Sequence, residues 1–156
     1  MDATTIYGEG TVVITRVFDA PRALVWQAWT DPKMTAQWFG PRGFSSSVPQ
    51  WELRVGGALR IVMHRPDGND YPMKGAFREV TPPERLVFSN IAIDNDGNHL
   101  LEGETTVTLS EQGGKTTMQL KSHAVGKVPI APQMLSGMEA GWTQSIDKLG
   151  ELVARG

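Results

Sequence analysis

The sequence contains no cysteine. That removes disulfides, thiol nucleophiles and thiolate metal sites together, and it suits a reducing compartment. Long apolar runs are missing too: no window approaches the roughly 18 residues that span a bilayer, and the opening "MDATTIYGEG" lacks the basic start and apolar core of a secretory leader. Neither charge dominates, since 15 basic and 17 acidic side chains leave a formal net charge of −2. No global attraction to nucleic acid or an anionic membrane is therefore expected. Histidine is scarce, with His64, His99 and His123 the only three, and no two share the close helical spacing of common zinc motifs. The expectation is a cytoplasmic protein without metal or cofactor, acting as a monomer or weak homodimer, with neither nucleic acid nor membrane as partner.

What is present is an ordinary globular composition, 40% hydrophobic and 21% charged over 156 residues, enough for one domain with one substantial core. Residues 11–18, "TVVITRVF", read as a well-buried strand, with Val13, Thr15 and Val17 on one face and Val12, Ile14 and Phe18 mainly on the other. The period then becomes helical in "DAPRALVWQAWTDP", with Asp19 as a plausible cap and Pro21 near the first helical position. "DPKMTAQWFG" repeats that grammar: Asp31 caps, Pro32 opens the first turn and Gly40 stops a second short helix. From Phe44 to about Ala124 six strands are predicted, punctuated by "VGG", "RPDGND", "TPPE", "DNDGN" and "EQGGK". After Pro129 and Pro132, Met134, Met138, Trp142, Ile146, Leu149 and Val153 form one apolar stripe, predicting a single helix of over 20 residues.

Such a helix needs an apolar surface to cover it, and the concave face of a curved antiparallel sheet is the one available. The fold expected is α+β of the helix-grip kind: a sheet wrapped around the long C-terminal helix, with two short helices after the first strand. Space enclosed between sheet and helix is a usual place for a ligand.

Candidate chemistry is sparse. Glu102 and Glu104 share a strand face, and on a concave face the pair could hold a proton between like charges and perform acid/base work. On a convex face they are solvated strand residues, as Arg60, Lys74 and Arg78 are expected to be. "DNDGN" carries oxygen ligands at alternate positions but lacks the bidentate glutamate and flanking helices of a calcium loop, so a hairpin turn is expected there. Met63, Met73 and Met118 on strands would face Met134, Met138 and Trp142 on the last helix, giving either an adaptable surface for apolar ligands or plain core filling. Phe88 carries the same two readings. In "QWFGPRGF", residues 37–44, Trp38, Phe39 and Arg42 form a rim between the short helices and the sheet. It acts either as a structural plug, with Phe44 entering the core, or as a gate whose aromatics touch ligand while Arg42 meets a polar head group.

Four segments taken together, "FDAPRALVWQAWTDPKMTAQWFGPRGF", "WELRVGGALRIVM", "GAFREVTPPERLVFS" and "GWTQSIDKLGELV", resemble the stand-alone bacterial relatives of the activator of the heat-shock-protein-90 ATPase. That family lies in the START-like, birch-pollen-allergen-like (SRPBCC) superfamily, and the likeness runs from about residue 11 to residue 153. The resemblance implies one START-like domain over residues 1–156 with a cavity. Relatives in the superfamily range over lipid and hormone carriers, aromatic-ring cyclases, hydrolases and oxygenase subunits. The leading expectation is non-enzymatic binding of a small apolar or amphipathic molecule. The alternatives are a cochaperone that stimulates a heat-shock chaperone's ATPase, and a cofactor-free cyclase or hydrolase using Glu102 or Glu104.

Overall fold

The computed structural model describes residues 5–154. The chain runs β1 (Glu9–Phe18), α1 (Arg22–Thr30), α2 (Pro32–Trp38), β2 (Ser45–Trp51), β3 (Ala58–His64), β4 (Asp70–Thr81), β5 (Arg85–Ile93), β6 (His99–Gln112), β7 (Lys115–Gly126), α3 (Ala131–Ser136) and α4 (Met138–Ala154). The seven strands form one antiparallel sheet in the order β1-β7-β6-β5-β4-β3-β2. Consecutive strands pair through β2 to β7, as hairpin turns dictate. The exception is informative: β1 and β2 lie on opposite edges, so α1 and α2 carry the chain from one edge to the other and close one end of the sheet. This is the expected helix-grip α+β architecture.

One face of the sheet is covered and the other is not. Leu59, Ile61, Phe77, Leu86, Val107, Leu109, Met118 and Leu120 on the strands, Val25, Ala28 and Trp29 on α1, and Ile146, Leu149 and Val153 on α4 form a single buried cluster. Among the described residues the convex face has no second layer. Val13 and Val17 therefore stand 59% and 60% exposed, while Val12, Ile14 and Phe18 of β1 turn inward together with Arg16, which pairs with Asp147 of α4 at 2.7 Å. Residues 11–18 are half-buried rather than well buried, because the β-branched residues on the outer face serve strand geometry rather than a core.

Two local expectations also differ. Asp19 does not cap α1; Pro21 occupies the cap position without a side-chain bond, and the Arg22 N–H donates instead to Glu111 Oε1 of β6 at 2.6 Å. A first-turn donor satisfied from a distant strand leaves no trace in the adjoining sequence. The C-terminal helix is interrupted at Gly137, giving a six-residue α3 and a seventeen-residue α4. Glycine has the lowest helix propensity after proline, and the helix is interrupted there although Gly137 stays in the right-handed region at φ −92° and ψ −2°. Asp31 does cap α2, its carboxylate accepting from the Lys33 N–H at 2.9 Å. Among the described residues no helix is long and apolar enough to cross a membrane.

Candidate ligand cavity

The apolar stripe of the last helices has two regimes. Ile146 and Leu149 are fully buried and Val153 nearly so, whereas Met134, Met138 and Trp142, toward the N-terminal end, are only half-buried. The core stops between Trp142 and Ile146, and beyond it sheet and helix enclose space. Two adjoining lobes, of about 210 Å³ and 280 Å³, share Met63, Met73, Asn90, Leu101, Met134, Met138 and Trp142 in their walls. Tyr71, Pro72, Ala92, Ile93, Leu100 and Ala124 complete the first; Phe39, Gly40, Pro41, Gly137, Gly141 and Ser145 complete the second, which is the more open toward solvent. Either lobe exceeds the ~150 Å³ in which an apolar protein cavity holds a benzene ring.

An aromatic floor separates this space from the core. Phe39 meets Trp142 edge-on at 5.8 Å, Trp142 stacks on Trp29 at 6.3 Å, and Trp29 meets Trp38 edge-on at 4.6 Å. Such arrangements suit the ring quadrupoles and hold the rings in place. Beneath the floor, Trp29, Thr35, Phe39, Trp51, Leu59, Ile61 and Phe88 surround a void of only about 10 Å³, too small for any organic ligand.

The predicted site residues thus divide. Phe39, Met63, Met73, Met134, Met138 and Trp142 come together around the cavity. Trp38 does not line it: the ring is fully buried and its Nε1–H donates to the Ala28 carbonyl at 2.8 Å. Met118 is fully buried in the core, several residues along β7 from the cavity-lining Ala124. Phe88 is 4% exposed and touches only the small void.

Arg42 points away from both lobes and pairs with Glu151 of α4; the hydrogen bond it donates to Glu151 raises the already high guanidinium pKa. The whole rim is strapped to α4. Gly40 N–H donates to Ser145 Oγ at 3.0 Å, Arg42 N–H to Gln144 Oε1 at 3.0 Å, and Lys148 Nζ to the Pro41 carbonyl at 3.4 Å. Burial, with a smaller contribution from Arg42, lowers the Lys148 pKa. "QWFGPRGF" is therefore a plug along most of its length, and Phe39, Gly40 and Pro41 form part of the cavity wall. Phe44 does not enter the core but packs on Tyr71 at 6.0 Å.

Gly40 is the residue on which the strap turns. Its φ of +103° is a conformation that side-chain-bearing residues rarely adopt, and a Cβ there would lie 3.3 Å from Met63 Sδ. Gly40→Ala is expected to cost about 1–3 kcal/mol in chemical denaturation and to displace Met63 from the cavity wall.

Glu102 and Glu104 lie on the convex face, opposite the cavity. Glu104 pairs with Arg78 at 3.1 Å and Glu102 with His99 Nδ1 at 2.7 Å. His64 binds Ser47 and Asp70, and His123 binds Thr11 and lies 3.4 Å from Glu9. In "DNDGN" the Asp94 carboxylate is consumed by the turn itself, accepting from the Asn98 side chain and from the Asn98 and Asp96 N–H groups. Those bonds, the Asn98 side chain's first, hold its pKa below the ordinary value. Among the described residues, no group of three or more His, Asp or Glu could hold a metal ion.

Residues 19–154 match the family described as Activator of Hsp90 ATPase homolog 1-like protein. The chain belongs to this family. A Chromobacterium violaceum protein of solved structure is 27% identical, with 92% of this chain and 96% of that one covered and a TM-score of 0.81. Two others share the fold: an Arthrobacter aurescens protein at 24% identity, covering 99% and 94%, TM-score 0.83, and the AHSA1 protein of Silicibacter pomeroyi at 23%, covering 93% and 98%, TM-score 0.74. No curated protein matches the chain.

Among the wall residues that sequence reasoning missed are Asn90, Leu101 and the β5 stretch to Ile93, with Tyr71, Pro72, Leu100, Ala124 and Ser145. For Asn90 the signal was present: in "LVFSNIAI" Asn90 has the same parity as Phe88 and Ala92, which puts a polar side chain on the apolar face.

Proposed function

We propose that this protein binds one small apolar or amphipathic molecule between the sheet and α4, in the cytoplasm, without catalysing its conversion. The observation that carries this reading is a cavity walled by four methionines, Trp142 and Phe39, with no ionised side chain in either lobe among the described residues. Thioether side chains are flexible and polarizable and adapt to apolar shapes. A cavity without carboxylate, imidazole or ammonium offers no acid/base pair, and the two candidate carboxylates are on the other side of the sheet.

Selective 13C labelling of the methionine methyl groups tests the reading with ethylbenzene as probe. The methyl resonances of Met63, Met73, Met134 and Met138 are expected to shift while that of Met118, fully buried in the core, stays in place. An unperturbed spectrum at probe saturation, or equal shifts at all labelled methyls, would sink the proposal.

The family description supports a second reading, stimulation of a chaperone ATPase, through the exposed face of α4. Its test is the ATPase rate of the host's own chaperone of this type with and without the protein. A rate increase that survives blocking of the cavity would favour this reading over the carrier.

A further inference from the structure

In an apolar cavity, the polar atoms present decide which ligands are accepted. Ser145 has no proton to offer, since its hydroxyl donates to the Gly141 carbonyl at 2.9 Å and accepts from Gly40. Asn90 is different. Its Oδ1 accepts from Thr105 Oγ1 at 2.8 Å, and Thr105 Oγ1 lies 2.8 Å from Ser122 Oγ. Thr105 and Ser122 are both fully buried, so each hydroxyl proton needs an acceptor within this short chain.

Only one order of protons satisfies it. Ser122 donates to Thr105 and Thr105 donates to Asn90 Oδ1. Turning the Asn90 amide over would make it donate to Thr105 and would strand one hydroxyl proton in a dry interior. The chain therefore holds the amide with its NH2 group uncommitted: among the described residues, neither Asn90 Nδ2 proton has a partner. Asn90 lines both lobes.

We infer that Asn90 is the polar anchor of the cavity, selecting molecules that carry a neutral hydrogen-bond acceptor, such as a ketone, aldehyde or ester carbonyl, on an apolar body. This rests on the cavity reading above and narrows it to a ligand class. Cations are rejected because they bring only donors to a donor and lose their hydration without a counter-charge. Anions find an amide donor but no cationic side chain in the walls, so their desolvation is likewise uncompensated. The Thr105–Ser122 pair acts as a positioning group: it keeps the amide from rotating, so the donor is already aimed when a ligand arrives.

Three probes on one skeleton test the inference: ethylbenzene, acetophenone and 1-phenylethylammonium, titrated into the full chain and into Asn90→Leu. The hydrogen bond is expected to appear in the ratio of acetophenone to ethylbenzene affinity, which should fall by about 3–10-fold in Asn90→Leu. Comparing ratios cancels each probe's own hydration and any uniform change in the cavity. In the parent protein, which needs no substitution, the Asn90 side-chain NH2 resonances should shift with acetophenone more than with ethylbenzene. The ammonium probe should bind more weakly than acetophenone. If ethylbenzene binds but the ratio and the Asn90 resonances do not distinguish the two probes, Asn90 is not the anchor and the cavity reading survives alone. A tighter ammonium complex would overturn the ligand class. If no probe binds the parent, the cavity reading fails and this inference with it.

Discussion

Leu149→Ala is expected to lower the unfolding free energy by about 2–5 kcal/mol, while Met138→Ala, three turns earlier on the same stripe, should cost only about 1 kcal/mol. Both side chains are apolar and both face the sheet. The difference lies in what surrounds them: Leu149 is 0% exposed within the continuous core, so truncation opens a new void among fixed neighbours. Met138 already borders empty space and solvent, so its removal enlarges a cavity that exists and forfeits fewer contacts. Because a domain has only about 5–15 kcal/mol of stability, the first substitution threatens folding and the second does not. Urea denaturation of the two variants measures the contrast, and equal losses would mean that the stripe is uniformly packed and the cavity is not there.

The second large effect is on binding. Ala92 lines the first lobe from β5, opposite Met73 in the β4–β5 register. Ala92→Phe puts a benzyl group into that lobe and should weaken ethylbenzene binding by at least about tenfold, equivalent to ~1.4 kcal/mol or more. Stability should hold or rise, since an apolar ring fills apolar space at about 25 cal/mol per Å² buried. Overpacking would do the reverse, costing about 1–3 kcal/mol through displaced neighbours. Calorimetric titration together with thermal melting separates the outcomes: lost binding with an unchanged melting temperature supports a pre-formed cavity, and lost stability with unchanged binding contradicts it.

The architecture was legible because it rests on periodicity. Alternation in "ALRIVMH" and the spacing of turn signals reveal an antiparallel sheet, and the stripe from Met134 to Val153 reveals the helix that it grips. Burial depth was not legible from the same patterns. Val13 and Val12 are the same residue type on adjacent positions, yet one is 59% exposed and the other 5%, because only the assembled sheet determines which face goes uncovered. Met118 and Met63 likewise share a residue type and a concave face. Met118 sits fully buried within the continuous core cluster, while Met63 sits near the open end, beside Gly40. The strap of "QWFGPRGF" depends on Gln144, Ser145 and Glu151, about a hundred residues away, and no local signal marks it. Asn90 was overlooked for a different reason. A lone polar residue in an apolar strand is easily read as noise, and its meaning comes from Thr105 on the adjacent β6 and Ser122 on β7 beyond it.

The central claim is that the space between sheet and α4 holds a small neutral molecule. The most direct measurement is to purify the protein and Ala92→Phe side by side from the native host, extract both with solvent after denaturation, and compare the extracts by mass spectrometry against native mass spectra of the intact proteins. The account predicts one neutral, carbonyl-bearing compound or a narrow family of them, enriched with the parent at up to one molecule per chain and depleted with Ala92→Phe. Identical extracts from the two proteins, with the parent's native mass matching the bare chain, would contradict it.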